Sequence, residues 1–230
     1  MTDLPESFFA NPVWHALQTR HRHFAVSSGE ASRYPADVAP FAAVATPSKS
    51  ALQSLHSLLA PGEYVWLIGE SYSAVPDLSC TGNLECLQMA LPGEVTPPKP
   101  VPGIIPLSSE NAHEMVALTD VAFPGFFRSR TCEMGSYYGV RSDGELIAMG
   151  GERITLDGYP EISGICTHPA HRGQGHAASL IWHLARNHRR EGLTSWLHVS
   201  AENHHAIELY LRMGFTIVRK VKLHRIRRND

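Results

Sequence analysis

The sequence predicts an α/β fold, and three observations carry that expectation. Short apolar runs of strand length alternate with stretches of helical period, Gly, Pro and Asp-Gly turns separate them, and the 230-residue chain, 43% hydrophobic, is long enough for one large core or two small ones. Lys and Arg number 20 against 22 Asp and Glu, a net charge of -2, which argues against a nucleic acid held by bulk charge. The opening Met1-Thr2-Asp3-Leu4-Pro5 has neither a basic nor an apolar leader region, and no stretch approaches the ~20 apolar residues of a membrane span, so a cytoplasmic protein is expected. Cys80, Cys86, Cys132 and Cys166 form no Cys-x-x-Cys pair, so neither zinc nor a disulfide framework is suggested.

Residues 1–100 read as a small α/β unit. Asn11-Pro12 is a cap followed by a first-turn proline and leads into a helix over Val13 to Arg20. Apolar runs at His23 to Val26, Phe41 to Ala45, Tyr64 to Ile68 and Leu84 to Leu91 predict strands, and Ser48 to Leu59 predicts a helix with Leu52, Leu55 and Leu59 inward. Six prolines between Pro92 and Pro106 exclude helix and make poor sheet, so the boundary between units 1–100 and 101–230 is placed there.

Beyond the boundary, Ile104 to Leu107 predicts a strand, and Ser108 to Asp120 a helix capped by Ser108, with Glu110 and Glu114 at its positive end. Pro124-Gly125 breaks the chain before Phe126, Phe127 and Arg128. A hairpin follows from Tyr137 to Arg141, through Ser142-Asp143-Gly144, to Glu145 to Ile154, and Asp157-Gly158 turns the chain into the strand at Glu161. Thr194 to Ser200 predicts a strand with Trp196 and His198 on one face and Leu197 and Val199 on the other. Asn203 caps a helix with the inward stripe Ala206, Leu209, Tyr210 and Met213, stopped by Gly214. The tail from Phe215 to Ile226 alternates as a closing hairpin would, with Arg225, Arg227 and Arg228 at an exposed edge or a fraying end.

The chain is organised around Glu161 to Glu191. An apolar run from Ile162 to Cys166 ends at Pro169, a glycine-rich turn spans Arg172 to Ala177, and a helix starts at once, with Ala177, Leu180, Ile181 and Leu184 as its core stripe and Gly192 as its stop. In a strand, loop and helix of this kind the loop amides and the first orphan N–H groups converge on one point, which the helix dipole makes attractive to anions. Gly173 and Gly175 let a phosphate approach the backbone, and Arg172 adds positive charge. No Lys-Ser/Thr follows the second glycine, and the third glycine of a dinucleotide fingerprint is missing.

At these residues the chain resembles the GNAT superfamily of acyl-CoA N-acyltransferases, whose cofactor loop Arg/Gln-x-x-Gly-x-Gly/Ala is matched by Arg172-Gly173-Gln174-Gly175-His176-Ala177. A second stretch, from Asn203 to Phe215, is similar to the superfamily's Asn-x-x-Ala-x-x-Leu-Tyr-x-x-x-Gly-Phe. The two motifs cover Glu161 to Phe215, and a looser match extends back to Val101. The resemblance implies a mixed, mostly antiparallel sheet flanked by helices, with an N-acetyltransferase domain over 101–230. Residues 1–100 are then an accessory domain that either walls one side of the substrate cleft, as a degenerate copy of the second fold, or only adds stability.

The same resemblance implies direct transfer of an acetyl group from acetyl-CoA, without a metal, to a primary amine on a small molecule or a protein. The pantetheine arm would pair with the backbone of Ile165, Cys166 and Thr167 like an added strand, and the pyrophosphate would sit on Arg172, Gly173, Gln174, Gly175, His176, Ala177 and Ala178, with Asn203 also on the cofactor side. A backbone N–H near Cys166 would meet the thioester oxygen. Tyr210 corresponds to the general acid, while Glu161 and His198 both match positions of a general base; Glu161, acting through a water with His198 assisting, is the expected arrangement. Each has a plainer reading: Tyr210 as core, Glu161 as a strand end, His198 as filler beside Trp196. A non-catalytic acyl-CoA-binding or sensing module is the alternative function. Among the 14 histidines, His168, His171 and His176 share one loop, but carboxylates and thiols at zinc spacings are absent apart from Cys166. Cys166 reads as a small buried hydrophobe in preference to an acyl-carrying thiol.

Overall fold

A computed structural model describes residues 6–69, 72, 75–99 and 102–230. The reading of Met1 to Pro5 and the boundary between 100 and 101 lie outside the described residues. In chain order the elements are α1 (Glu6–Ala10), α2 (Pro12–Gln18), β1 (Val26–Ser28), β2 (Ala31–Arg33), β3 (Phe41–Val44), α3 (Lys49–Leu58), β4 (Tyr64–Ile68) and β5 (Leu78–Ala90). They continue with β6 (Ile104–Leu107), α4 (Ala112–Ala122), β7 (Tyr137–Ser142), β8 (Glu145–Leu156), β9 (Tyr159–Thr167), α5 (His176–Arg190), β10 (Trp196–Ser200), α6 (His204–Arg212) and β11 (Thr216–Arg228). The fold is mixed α/β, as the sequence predicts.

The described strands make one 11-stranded sheet in the order β1-β2-β3-β4-β11-β5-β10-β9-β8-β7-β6. Its pairs are antiparallel except β3 with β4 and β9 with β10. Strand β5 lies between β10 and β11, so the chain before the proline-rich segment and the chain after it share a single sheet. Among the described residues no helix is long and apolar enough to cross a membrane.

Local signals account for most element ends. Asn11 Oδ1 accepts from Trp14 N at 3.4 Å and Ser48 Oγ from Ala51 N at 3.1 Å, each satisfying an orphan donor of the helix it caps. Leu52 and Leu55 of α3 and Leu180, Ile181 and Leu184 of α5 are buried, as their spacing requires. Helix α5 is also fixed by a polar contact: the buried His188 places Nε2 2.8 Å from Glu152 Oε1 on β8 and Nδ1 2.8 Å from Ser195 Oγ.

Four expectations need correction. Arg22 to Phe24 is a 3-10 turn, with Phe24 N donating to His21 O at 2.9 Å, and the strand begins only at Val26. The predicted helix at Ser108 starts as a 3-10 turn over Ser109 to Asn111, which Ser108 caps, before α4 takes over at Ala112. Strand β5 begins at Leu78, six residues before the apolar run that predicted it. The tail is one 13-residue strand, because nothing between Thr216 and Arg228 is a turn former. It is an interior strand, paired with β4 on one side and β5 on the other, so its arginines blunt no edge. Arg225 Nε donates to Thr81 Oγ1 at 2.9 Å, and Arg228 Nη1 to Leu59 O at 2.6 Å.

Two glycines on the neighbouring strands β8 and β9 make room for one aromatic ring. Gly164 of β9 has φ +65°, and a Cβ there would lie 3.4 Å from the Tyr137 ring; a Cβ on Gly151 of β8 would overlap that ring and stand 2.6 Å from Ser136 O. Neither the buried ring nor the backbone can give way easily. Gly151→Ala is therefore expected to destabilise the protein by about 1–3 kcal/mol in urea unfolding, whereas Gly93→Ala, whose Cβ meets nothing within 4 Å, stays near neutral.

Candidate active site

Strands β9 and β10 are parallel neighbours whose register contains one pair, Glu161 with Trp196. Beyond it each keeps its outer partner, β8 for β9 and β5 for β10, while the facing edges are unpaired. A cavity of about 920 Å³ opens in this fork. It is lined by residues 162–167 on one arm, His198, Val199 and Ser200 on the other, and the loop 171–178 at its mouth. Unpaired strand edges facing a cavity offer N–H and C=O groups to an extended ligand.

The loop is shaped for an anion. Gly173 and Gly175 have φ +78° and +85°, and Gly175 is the N-cap of α5 with no side chain bonded to the first helical N–H groups. A Cβ on Gly173 would meet nothing within 4 Å, so that face of the loop is open. Arg172 lines the cavity and its Nε donates to Thr167 O at 3.3 Å, tying the loop to the end of β9. His176 is buried, both ring nitrogens are without a partner among the described residues, and burial first and His171 second push its pKa down, favouring the neutral imidazole. Asn203 Oδ1 accepts from Ala206 N at 3.1 Å and so caps α6 while lining the cavity.

At the closed end of the fork lies a polar network that crosses four adjacent strands. Glu161 of β9 is 0% exposed and is not part of the cavity wall. Its Oε1 accepts from Arg153 Nη2 on β8 and from His198 Nδ1 on β10, each at 2.7 Å, and its Oε2 from Arg153 Nε and Ile154 N, each at 3.0 Å. Burial alone would raise this carboxyl, but the Arg153 charge and the bonds from His198 and Arg153 outweigh it and hold the pKa at about 2. The tautomer of His198 follows from Gln88 of β5. Gln88 Nε2 donates to Phe9 O at 2.9 Å, and the same nitrogen stands 3.1 Å from His198 Nε2. An amide nitrogen only donates, so His198 Nε2 accepts and its proton sits on Nδ1, facing Glu161.

The structure brings residues 165–167 and 172–178, Asn203, His198 and Tyr210 onto one cavity, and it sets Glu161 behind that cavity. Tyr210 is 9% exposed, packs edge-on against Phe215, and keeps its proton, burial first and the Glu161 charge second pushing its pKa up to about 12. Cys166 is held as a thiol by burial, up to about 12, which leaves no thiolate to carry an acyl group at neutral pH. Among the described residues no three His, Cys, Asp or Glu side chains gather as a metal-ligand set.

The sequence reading gives no site role to Arg153, Gln88, Phe41 or Phe126, although two of them carry a signal. Arg153 is a charge inside an apolar strand. Gln88 shares the face of Leu84 and Cys86, and its Oε1 has no partner among the described residues.

The depressed Glu161 pKa has a consequence for stability. The folded carboxyl is held at about 2, below the ordinary 4.5 of a free glutamate, so it contributes stability above pH 4.5 that is lost as pH falls through 2. Glu161→Gln, if it folds, is expected to show a flatter fall in Tm between pH 5 and pH 2 than wild type, read by thermal unfolding across that range.

The chain is similar in sequence and fold to known proteins. A family model described as the acetyltransferase (GNAT) family matches residues 108–215. A crystal structure assigned to the GNAT family of acetyltransferases, from Novosphingobium aromaticivorans, is 34% identical, with 96% of this chain and 99% of that one covered and a TM-score of 0.88. A GCN5-related N-acetyltransferase from Kribbella flavida shares the fold at 18% identity, with 100% and 97% covered and a TM-score of 0.64. Another from Sphaerobacter thermophilus is 17% identical over 79% of this chain and 65% of its own, with a TM-score of 0.53. No curated protein gives a significant match. Matched over nearly its whole length at 34% identity, the chain belongs to the GNAT acetyltransferase family, in which an acyl group is transferred from acyl-CoA.

Proposed function

We propose that this chain is an N-acetyltransferase that moves an acetyl group from acetyl-CoA to a primary amine by direct attack in a ternary complex. The observation that carries the reading is the fork between β9 and β10, whose unpaired edges lead to an uncapped helix start behind glycines at positive φ. Backbone groups of residues 165–167 would hold the pantetheine arm, and the loop 172–178 the pyrophosphate. Residues 101–230 form the catalytic unit in this reading, and residues 1–100 support it and supply one wall of the cleft through Phe41, Leu84 and Cys86.

The amine attacks the thioester carbonyl, a C–N bond forms, and the C–S bond breaks as the tetrahedral oxyanion collapses. The amine proton needs an acceptor. With both oxygens saturated and no face on the cavity, Glu161 is the wrong group to take it, and His198 takes the role. Proton capture occurs at Nε2, where the Gln88 amide must give way, and Glu161 then faces an imidazolium. Glu161 is thus a positioning residue. Tyr210 donates its proton to the leaving thiolate, and the phenolate is reprotonated from solvent.

Thiol release from acetyl-CoA with a panel of amines tests the function. CoA that binds without thiol release on any amine would leave a non-catalytic acyl-CoA-binding module. Gly175→Glu places a carboxylate on the anion seat, and calorimetry is expected to show CoA affinity lost by about 10²-fold in a folded protein; unchanged affinity would remove the loop from the cofactor site. His198→Gln is expected to lower kcat/KM by about 10²-fold or more with CoA affinity within a few-fold, and an unchanged kcat/KM would remove His198 from the proton transfer. Tyr210→Phe is expected to lower turnover by about 10²-fold with CoA affinity within a few-fold, and turnover left intact would make the ring core packing alone.

A further inference from the structure

The cavity reaches past the fork into a region that no cofactor motif touches, and the chemistry of that region is specific. Its wall is Phe41, Leu84, Phe123, Phe126 and Leu223, with the Arg153 guanidinium at its inner end. The aromatic part is continuous: Phe41 and Phe126 stack at 6.0 Å and 20°, and Trp66 backs Phe126 at 5.6 Å and 31°. Phe123 and Phe126 are half-buried, so this wall is exposed to whatever enters. Arg153 lies over the Phe41 ring, 4.7 Å from its centroid.

Arg153 has a donor to spare. Its Nε and Nη2 are engaged by Glu161, which leaves Nη1, with two protons and no acceptor among the described residues, on a side chain that is 13% exposed and lines the cavity. A guanidinium nitrogen on an aromatic wall fits a carboxylate attached to an apolar body. Its distance from the reacting end is also constrained. Arg153 Nη2 and His198 Nδ1 both bond Glu161 Oε1 at 2.7 Å, so one carboxylate holds both the side chain that would anchor an anion and the side chain that would take the proton. A small molecule that reaches both side chains carries its acid and its amine close together, as a 2-amino acid does.

We propose that the acceptor is a 2-amino carboxylic acid with an apolar or aromatic side chain. Its carboxylate binds Arg153 Nη1, its side chain lies along Phe41, Phe123 and Phe126, and its α-amine meets the thioester beside His198. The inference rests on the acyl-transfer reading for its chemistry and names the substrate of that same site. The products are an N-acetyl amino acid and the CoA thiol. A polyamine or a lysine ε-amine, with no carboxylate next to the nitrogen, would leave Arg153 Nη1 unused.

Two measurements on the full chain test this, one of which needs no turnover. With acetyl-CoA, thiol release is followed for L-phenylalanine, L-leucine, spermidine and phenethylamine, the last having the ring and amine of phenylalanine without its carboxylate. The expected kcat/KM for L-phenylalanine exceeds that for phenethylamine by about 10-fold or more, the scale of one charged hydrogen bond; phenethylamine or spermidine used equally well or better would overturn the proposal. In calorimetry on CoA-saturated protein, N-acetyl-L-phenylalanine is expected to bind about 10-fold tighter than N-acetylphenethylamine. Equal binding, or none of the acid, would overturn it. Binding of the acid without thiol release on any amine would keep the subsite and remove the acyl-transfer reading, so the two can fail separately.

Variants locate the site. Arg153→Lys can still pair with Glu161 but has no second arm to the acceptor, so the preference for L-phenylalanine over phenethylamine is expected to shrink to about 1; an unchanged ratio would overturn the assignment to Arg153. Should Arg153→Lys not fold, the two wild-type measurements decide. Phe126→Ala is expected to lower the preference for L-phenylalanine over L-alanine, and an unchanged preference would remove the side chain from this wall.

Discussion

The site depends on one buried ion pair. Arg153 and Glu161 face each other across β8 and β9 with the carboxylate wholly removed from solvent, an arrangement tolerated only because four donors satisfy its two oxygens. Removing one partner of such a pair costs about 3–5 kcal/mol, because the other charge is left buried and alone. The pair does more than hold two strands. It orients His198 on the next strand, and Gln88 on the strand beyond sets which nitrogen of that imidazole carries the proton, so a transverse polar rung runs across β8, β9, β10 and β5 just where the fork closes. Rigid strands place each member, which is how a site acquires fixed geometry before its substrate arrives.

The fork itself is a consequence of sheet pairing. Strand β10 is paired with β5 along its whole length, Trp196 to Ser200, and β9 pairs with β8 as far as Thr167, so neither can lean across to close the gap. Helix α5 closes its own side, held to β8 by His188 and Glu152. The unpaired edges are thereby kept open towards the cavity, and their amide groups await an extended partner.

Much of this is legible in the sequence alone. Apolar period and caps gave α2, α3, α5 and α6 close to their true ends, since Asn11, Ser48 and Asn203 act locally and their partners lie three residues on. The glycine turn and helix start after β9 were legible for the same reason. What the sequence hid was set by distant contacts: β11 reads as a hairpin until its two neighbours, more than a hundred residues upstream, are known to flank it. That Arg153 bonds both oxygens of Glu161 has no local signature either. Gln88 and Phe9 cannot be linked to His198 by any local pattern, being separated from it by 110 residues in the first case.

The position of β11 bears on how the protein comes to be folded. The last described strand fills the middle of the sheet, so a nascent chain that has completed everything up to Phe215 still carries two open strands, β4 and β5, with their ladders unfilled and Val221, Leu223 and Ile226 missing from the core. Open, partly apolar edges of that kind are templates for pairing with other chains. Synthesis thus passes through an interval in which this sheet is nearly complete yet adhesive, and its closing is left to β11.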